Sequence, residues 1–409
     1  MKRLQPHTNP TRRPWLTSTV LGIGLASLFS DLSHETVTAV LPVYLASLGA
    51  AAGALGTIEG FADGLSTMAK WIGGWLADRR QHRKPLCAGG YAFMALAPVV
   101  IAAAGHWFTV LGGRVLAWIS RGFRTPARKA LLAEAVPPEL RGRAFGLERA
   151  MDTTGAILAP LLVLLLLHTG WSHRAVILCS TIPAVLAVGA IVLWVKETPG
   201  RVPVQTPLFT SFGHFDAGFK RYLMAVGVFG LGDFADTFYI LYAVSVLEPL
   251  KGAASAATLS VALYTLHNVF YASFSYFGGW CADYVNKRWL LVAGYSAAAG
   301  AALCLIGGVE NLAGLALMFA LGGLGVGLYE AVEDALAADL LPNEIRGRGY
   351  GALAVVTGLG DWLSSFVVGW LWAGLGLAVA FGYAIAWMLA GILMMAYQSR
   401  QPAIPARKD

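Results

Sequence analysis

The chain has 409 residues, of which 57% are hydrophobic and only 13% charged, and its mean hydropathy is +0.62. A soluble domain carries roughly twice that share of charge, so a soluble globular enzyme is excluded; at about 20 apolar residues per bilayer crossing, the length holds about twelve crossings and almost no extramembrane domain. The formal net charge of +7 is spread over short loops, which excludes a nucleic-acid-binding face.

Apolar runs predict spans near 15–46, 54–77, 85–105, 108–136, 144–167, 173–195, 220–247, 254–282, 289–308, 312–340, 349–374 and 377–397. With the N-terminus inside, the inner segments hold 23 of the 30 Lys and Arg, and the outer loops only Arg174 and Lys251. That asymmetry predicts cytoplasmic termini and a multi-pass protein of the inner membrane. The first span is too long for a signal-peptide core and is read as helix 1. Cys87, Cys179, Cys281 and Cys304 fall inside spans with no disulfide or zinc spacing. Trp15, Trp107, Trp171 and Trp289 sit at span ends as interfacial anchors.

Ionisable residues at bilayer depth are functional candidates by default. Helix 1 carries Asp31, His34 and Glu35; Asp31 and Glu35 are four apart and share a face, so they are candidates for carrying a proton. Helix 2 carries Glu59, Asp63 and Lys70, read as structural. Helix 4 has a basic stripe of Arg121, Arg124 and Arg128, with Arg114 nearer its outer end. Arginine offers a fixed fork of donors, so Arg121 and Arg124 are expected to hold an anionic group. Arg149 and Asp152 on helix 5 are spaced for a local pair. Helix 7 carries Asp233 and Asp236, and helix 10 is acidic through Glu330, Glu333 and Asp334; Asp361 in helix 11 has no evident partner. Asp31, His34, Asp233 and Asp236 form too loose a ligand set to establish a metal site. No nucleotide-binding loop, catalytic triad or cofactor motif appears.

The chain repeats itself. GGWLADRRQHRKPLCAGGY at 73–91 matches GGWCADYVNKRWLLVAGY at 278–295, and PPELRGRAFG at 137–146 matches PNEIRGRGYG at 342–351. The offset of 205 pairs Asp78 with Asp283, Glu134 with Asp339 and Asp31 with Asp236. The organisation is therefore a six-helix bundle at 1–197, a linker at 198–219 and a second six-helix bundle at 220–409. Parallel repeats of this kind are the pattern of the major facilitator transporters. Gly74, Asp78, Arg79, Arg83 and Lys84 resemble that family's loop motif between helices 2 and 3, with Gln81 where the family has Gly. Gly279, Asp283, Lys287 and Arg288 are its second copy. Gly155 through Pro160 is similar to the motif of the antiporter branch, with Ala159 in place of a Gly, and favours export by antiport; packing through small residues is the alternative.

The resemblance implies an all-α membrane fold of two pseudo-symmetric bundles, with helices 1, 4, 7 and 10 around a central cavity. It implies no enzyme and no cofactor, but a monomer that moves a small molecule and protons across the bilayer. Proton coupling is expected at Asp31, Glu35 and Asp236, and substrate binding at Arg121, Arg124, Asp233 and Glu330. Gating is expected of the two loop motifs together with Arg128, Glu134, Glu333, Asp334 and Asp339. Arg128 is expected to meet Glu333, and Lys129 to meet Asp334, across the halves. Asp78 and Asp283 are expected to rest on the N-termini of helices 11 and 5. Arg83, Lys84, Lys287 and Arg288 are expected to reach Glu134 and Asp339. The reading is proton-driven export of a small organic molecule with an anionic group; uptake symport, metal export, lipid flipping and a non-transporting receptor are its rivals.

Overall fold

The computed structural model describes residues 15–48, 52–80, 82–197 and 215–400. No strand occurs among them. The first half comprises α1 (Ser18–Ser47), α2 (Ala52–Arg79), α3 (Lys84–Ala102), α4 (Trp107–Glu134), α5 (Arg141–His168), α6 (His173–Cys179) and α7 (Thr181–Trp194). The second comprises α8 (Ala217–Gly230), α9 (Thr237–Lys251), α10 (Ala253–Cys281), α11 (Lys287–Ile306), α12 (Leu312–Leu340), α13 (Arg346–Leu375) and α14 (Leu377–Ser399). The helix expected from 220 already begins at Ala217, inside the expected linker; most of that linker, and Gln81, lie outside the described residues.

Two of the expected twelve spans are broken. The sixth divides at Ser180 into α6 and α7, just ahead of Pro183, which has no N–H to continue the ladder. The seventh unwinds over 231–236 between α8 and α9. Gly232 there lies so near α14 that a Cβ would stand 2.2 Å from the Ala384 carbonyl oxygen. Seven helical stretches of the described residues are long and apolar enough to cross a bilayer by length and composition. Helices α1, α2 and α4 are not among them, because each carries several ionisable residues within its length.

The polarity is inverted relative to a soluble protein. Leu161, Leu164 and Leu165 of α5 and Leu193 of α7 face outward, while Arg83, Arg114, Arg124 and Arg348 are among the largest fully buried side chains. A lipid-facing surface requires this, since outward backbone groups must be satisfied within the helix and charges turned inside.

The repeat is visible in local structure. A 3-10 turn at Pro138–Leu140 leads into α5, and another at Asn343–Ile345 leads into α13. Gly90 admits α4 to α3, where a Cβ would meet Arg124 Cβ at 2.6 Å; its mate Gly294 admits α12 to α11, at 3.1 Å from Leu328 Cβ. The halves meet through α2 against α13 and α5 against α10, at the end of the bundle that also holds both ends of the described chain. We call this the near face.

Candidate functional site

At the near face two matched junctions join the halves. A Cβ on Gly74 would stand 2.3 Å from the Gly347 carbonyl oxygen, and one on Gly279 would stand 2.3 Å from that of Gly142. Only glycine permits such backbone approach. Each approach is capped by the aspartate that follows. Asp78 is fully buried; its Oδ1 accepts from Gly347 N at 2.9 Å and its Oδ2 from Arg348 N at 2.8 Å. Asp283 Oδ2 accepts from Arg143 N at 3.3 Å and lies 3.0 Å from Arg143 Nε. Both carboxylates thus sit on free N–H groups at a helix N-terminus, where the helix dipole favours negative charge.

Ion pairs surround the junctions. Arg83 bonds Asp78 at 2.7 Å and also pairs with Glu134. Asp339 accepts from Lys287 and from Arg141, each at 2.8 Å, the latter across the halves. The remaining motif cations do not reach those acids. Lys84 Nζ donates to the Val192 carbonyl at 2.8 Å, Arg288 to that of Gln398 at 3.3 Å, and Arg79 lies over the Trp75 ring at 4.3 Å.

Above the junctions a cavity of ≈ 230 Å³ lies between the halves. Among the described residues its five cations all come from the first half: Lys70, Arg121, Arg128, Lys129 and Arg149. Of the described residues, its second-half wall contributes five acids and no cation: Asp233, Glu330, Glu333, Asp334 and Asp361. Among the described residues, Asp152 is the one acid on the first-half wall. Three cross-half ion pairs among them tie the walls, Lys129 to Asp334 at 2.6 Å, Arg149 to Glu330 at 3.1 Å and, more loosely, Arg149 to Asp334 at 4.0 Å.

The expected bridge between Arg128 and Glu333 does not form. Arg128 turns into its own half, 2.8 Å from Glu148 and bonded to Ser27. Glu333 accepts from the Tyr295 hydroxyl instead. The reason is rotational: neighbouring residues on a helix point about 100° apart, so when Lys129 and Asp334 face the partner half, Arg128 and Glu333 face back into their own bundles.

The other candidates separate similarly. Arg121 donates to Asp31 at 3.0 Å and keeps an edge on the cavity. Arg124 does not line it; buried between α3 and α4, it donates to Ser30 at 2.6 Å and lies 3.8 Å over the Tyr91 ring. Asp236 stands immediately before α9, 3.5 Å from His267, and Asp31 and Asp236 are each engaged within their own half. Glu35 is half-buried on α1. Asp233 sits in the unwound stretch, where its Oδ2 accepts from the Tyr329 hydroxyl at 2.8 Å. Glu330 also accepts from Tyr271. No group of three or more His, Cys, Asp or Glu that could hold a metal ion occurs among the described residues. Gly155 packs α5 on α1, where a Cβ would meet the Leu28 carbonyl oxygen at 2.4 Å.

Sequence reasoning missed the tyrosines. Tyr295 lies in the repeated Gly-Tyr block, so its match with Tyr91 was a usable signal, whereas nothing local marks Tyr271 or Tyr329. It also read Arg149 as paired only with Asp152; that contact exists at 3.4 Å, but the same guanidinium crosses to α12.

The profile of the Major Facilitator Superfamily matches residues 23–247 and again 222–409. An uncharacterized MFS-type transporter of Methanocaldococcus jannaschii is 28% identical over 87% of this chain and 89% of its own. The quinolone resistance protein NorA of Staphylococcus aureus is 34% identical over 34% of this chain and 33% of its own. Among solved structures, the human organic anion transporter MFSD10 (TETRAN) superposes with a TM-score of 0.75 at 15% identity, covering 94% of this chain and all of that one (100%). The proton:xylose symporter XylE superposes with a TM-score of 0.71 at 16% identity, covering 93% and 95% of the two chains.

Proposed function

The chain belongs to the major facilitator superfamily, whose members are transporters and not enzymes, and on that premise we propose that it expels a small organic molecule in exchange for protons by alternating access. The observation that carries the coupling is the setting of Glu333. It is buried and bonded to a tyrosine hydroxyl, and no cation lies within ion-pair distance of it among the described residues. Such a carboxyl takes up a proton without stranding a buried cation. Asp31 is less suited, because its protonation would release Arg121. The proton site is therefore assigned to the second-half wall and not to α1.

The twin junctions supply the gate: with both engaged, the near face is shut beneath the cavity. The distribution of Lys and Arg supports a cytoplasmic near face in an inner membrane. Likeness over a third of the chain to a drug-resistance protein supports export. One chain carries both walls of the cavity, so a monomer suffices.

The test is flux in proteoliposomes under an imposed pH gradient, with a metabolite extract supplying candidate substrates. Wild type is expected to move a compound against its gradient while protons run the other way. Glu333→Gln is expected to lose gradient-driven accumulation and retain exchange of substrate for substrate. Accumulation by Glu333→Gln at the wild-type rate would sink the assignment.

A further inference from the structure

We propose that the substrate is a small zwitterion, with its anionic group on the first-half wall at Arg121 and its cationic group on the second-half wall at Asp233 and Asp361. This deepens the transport reading and rests on it. The argument begins with the division of charge: among the described residues, all cavity cations belong to one half, and every acid but Asp152 to the other. Several of these charges are spent on protein partners. Lys129 holds Asp334, Arg149 holds Glu330, and Arg128 holds Glu148.

What remains differs between the walls. Arg121 commits one nitrogen, Nη2, to Asp31, and its side chain is 24% exposed, so the rest of the fork borders the void. Opposite it, Asp361 reaches the cavity exposed, with no hydrogen bond or ion pair among the described residues. Among the described residues, Asp233 has only the Tyr329 hydroxyl as a hydrogen-bond partner. Phe229 and Leu353 add an apolar surface beside these groups.

Alternating access requires the site to close on its cargo, and closure removes water from both walls. A ligand of one sign would neutralise one wall and leave the other's charge desolvated, which is costly at membrane depth. A zwitterion answers both walls at once and bridges the two halves as it does so. The cavity volume limits the apolar body to about that of one aromatic ring or a short alkyl chain.

The test uses two sets of compounds on the purified full chain in detergent, by isothermal titration at neutral pH. One set is phenylalanine, 2-phenylethylamine and 3-phenylpropionate; the other is 6-aminohexanoate, hexylamine and hexanoate. In at least one set the zwitterion is expected to bind about 30-fold or more tighter than either singly charged mate, the lower end of the effect of a desolvated charge contact. Arg121→Gln is expected to reduce it to the amine's affinity, and Asp361→Asn to the acid's. Because Asp361 is exposed in the cavity, its substitution leaves the helix packing untouched and guards against a folding artefact. An amine or an acid binding as tightly as its zwitterion overturns the proposal, as does failure of all six compounds to bind. No pH gradient enters this measurement. A negative result here leaves proton-coupled flux standing, and loss of that flux with zwitterion binding retained sinks the transport reading alone.

Discussion

A tyrosine hydroxyl both donates and accepts, and the two halves use that freedom with opposite sign. In the first half Tyr91 accepts from Arg128 at 3.4 Å; in the second its mate Tyr295 donates to Glu333. The tyrosine that follows a packing glycine in both copies thus serves a cation in one copy and an acid in the other. Arg128 is the more committed of the two. It is held by Glu148, which is 1% exposed, so Arg128→Met would leave an unpaired buried acid. Removing one partner of a buried pair costs about 3–5 kcal/mol. The midpoint of thermal unfolding in detergent should fall accordingly, and adding Glu148→Leu should recover most of the loss. If the single variant unfolds like wild type, the pair does not carry stability. The sequence pointed to Arg128 but not to its partner, because spacing along α4 says nothing of which neighbour a guanidinium will reach.

Junction elements were the most legible part of the chain. The repeated Gly and Asp at the ends of α2 and α10, and the repeated Arg-Gly-Arg opening α5 and α13, sit in register, and the fold brings each pair together. What the sequence hid was a difference between the twins. Both oxygens of Asp78 are bonded, whereas Oδ1 of Asp283 has no hydrogen-bond partner among the described residues. Burial, outweighing Arg143 and its backbone N–H, pushes the Asp283 carboxyl from 3.8 up to about 6. The joined state therefore binds a proton more tightly than a state in which Asp283 is released to water. Its proton-linked advantage is full below 3.8 and is lost as pH rises through about 6. Spin-label distances between the near ends of α5 and α10 should shorten as pH falls from about 7 to about 5. Asp283→Asn should make them independent of pH over that range. A pH dependence that survives in Asp283→Asn would assign the effect to another group.

At the scale of the whole molecule, duplication has produced one architecture and two opposite charge patterns. Lys129 and Asp334 occupy the same place in their bundles and meet at 2.6 Å across the interface. Composition and internal repetition made this architecture legible, since the bilayer's demand for helices dictates the first and the matched blocks align the two bundles. The bipolar cavity was only half readable. Its residues stand out as charges in apolar spans, yet whether each faces its own bundle or the other half depends on about 100° of helix rotation. Exchanging the pair tests the coupling. Asp334→Lys alone should weaken near-face closure, and Asp334→Lys with Lys129→Asp should restore it. A double-mutant cycle on the spin-label distances measures the interaction, which for contacting charges is about 0.5–3 kcal/mol. Additive effects would mean that the bridge does not join the halves.

Ionic strength is where the buried capping of Asp78 makes a difference. Counterions weaken attractions between charges they can surround, over a screening length of about 8 Å at 0.15 M salt. Asp78 is wholly enclosed and bonded to main-chain N–H groups that no ion can approach. The junction of α2 with α13 is thereby insulated from the saltiness of the surrounding solution. Spin-label distances across α2 and α13 should stay constant from about 0.05 to about 1 M salt. Lengthening with added salt would show that surface charges hold the junction instead.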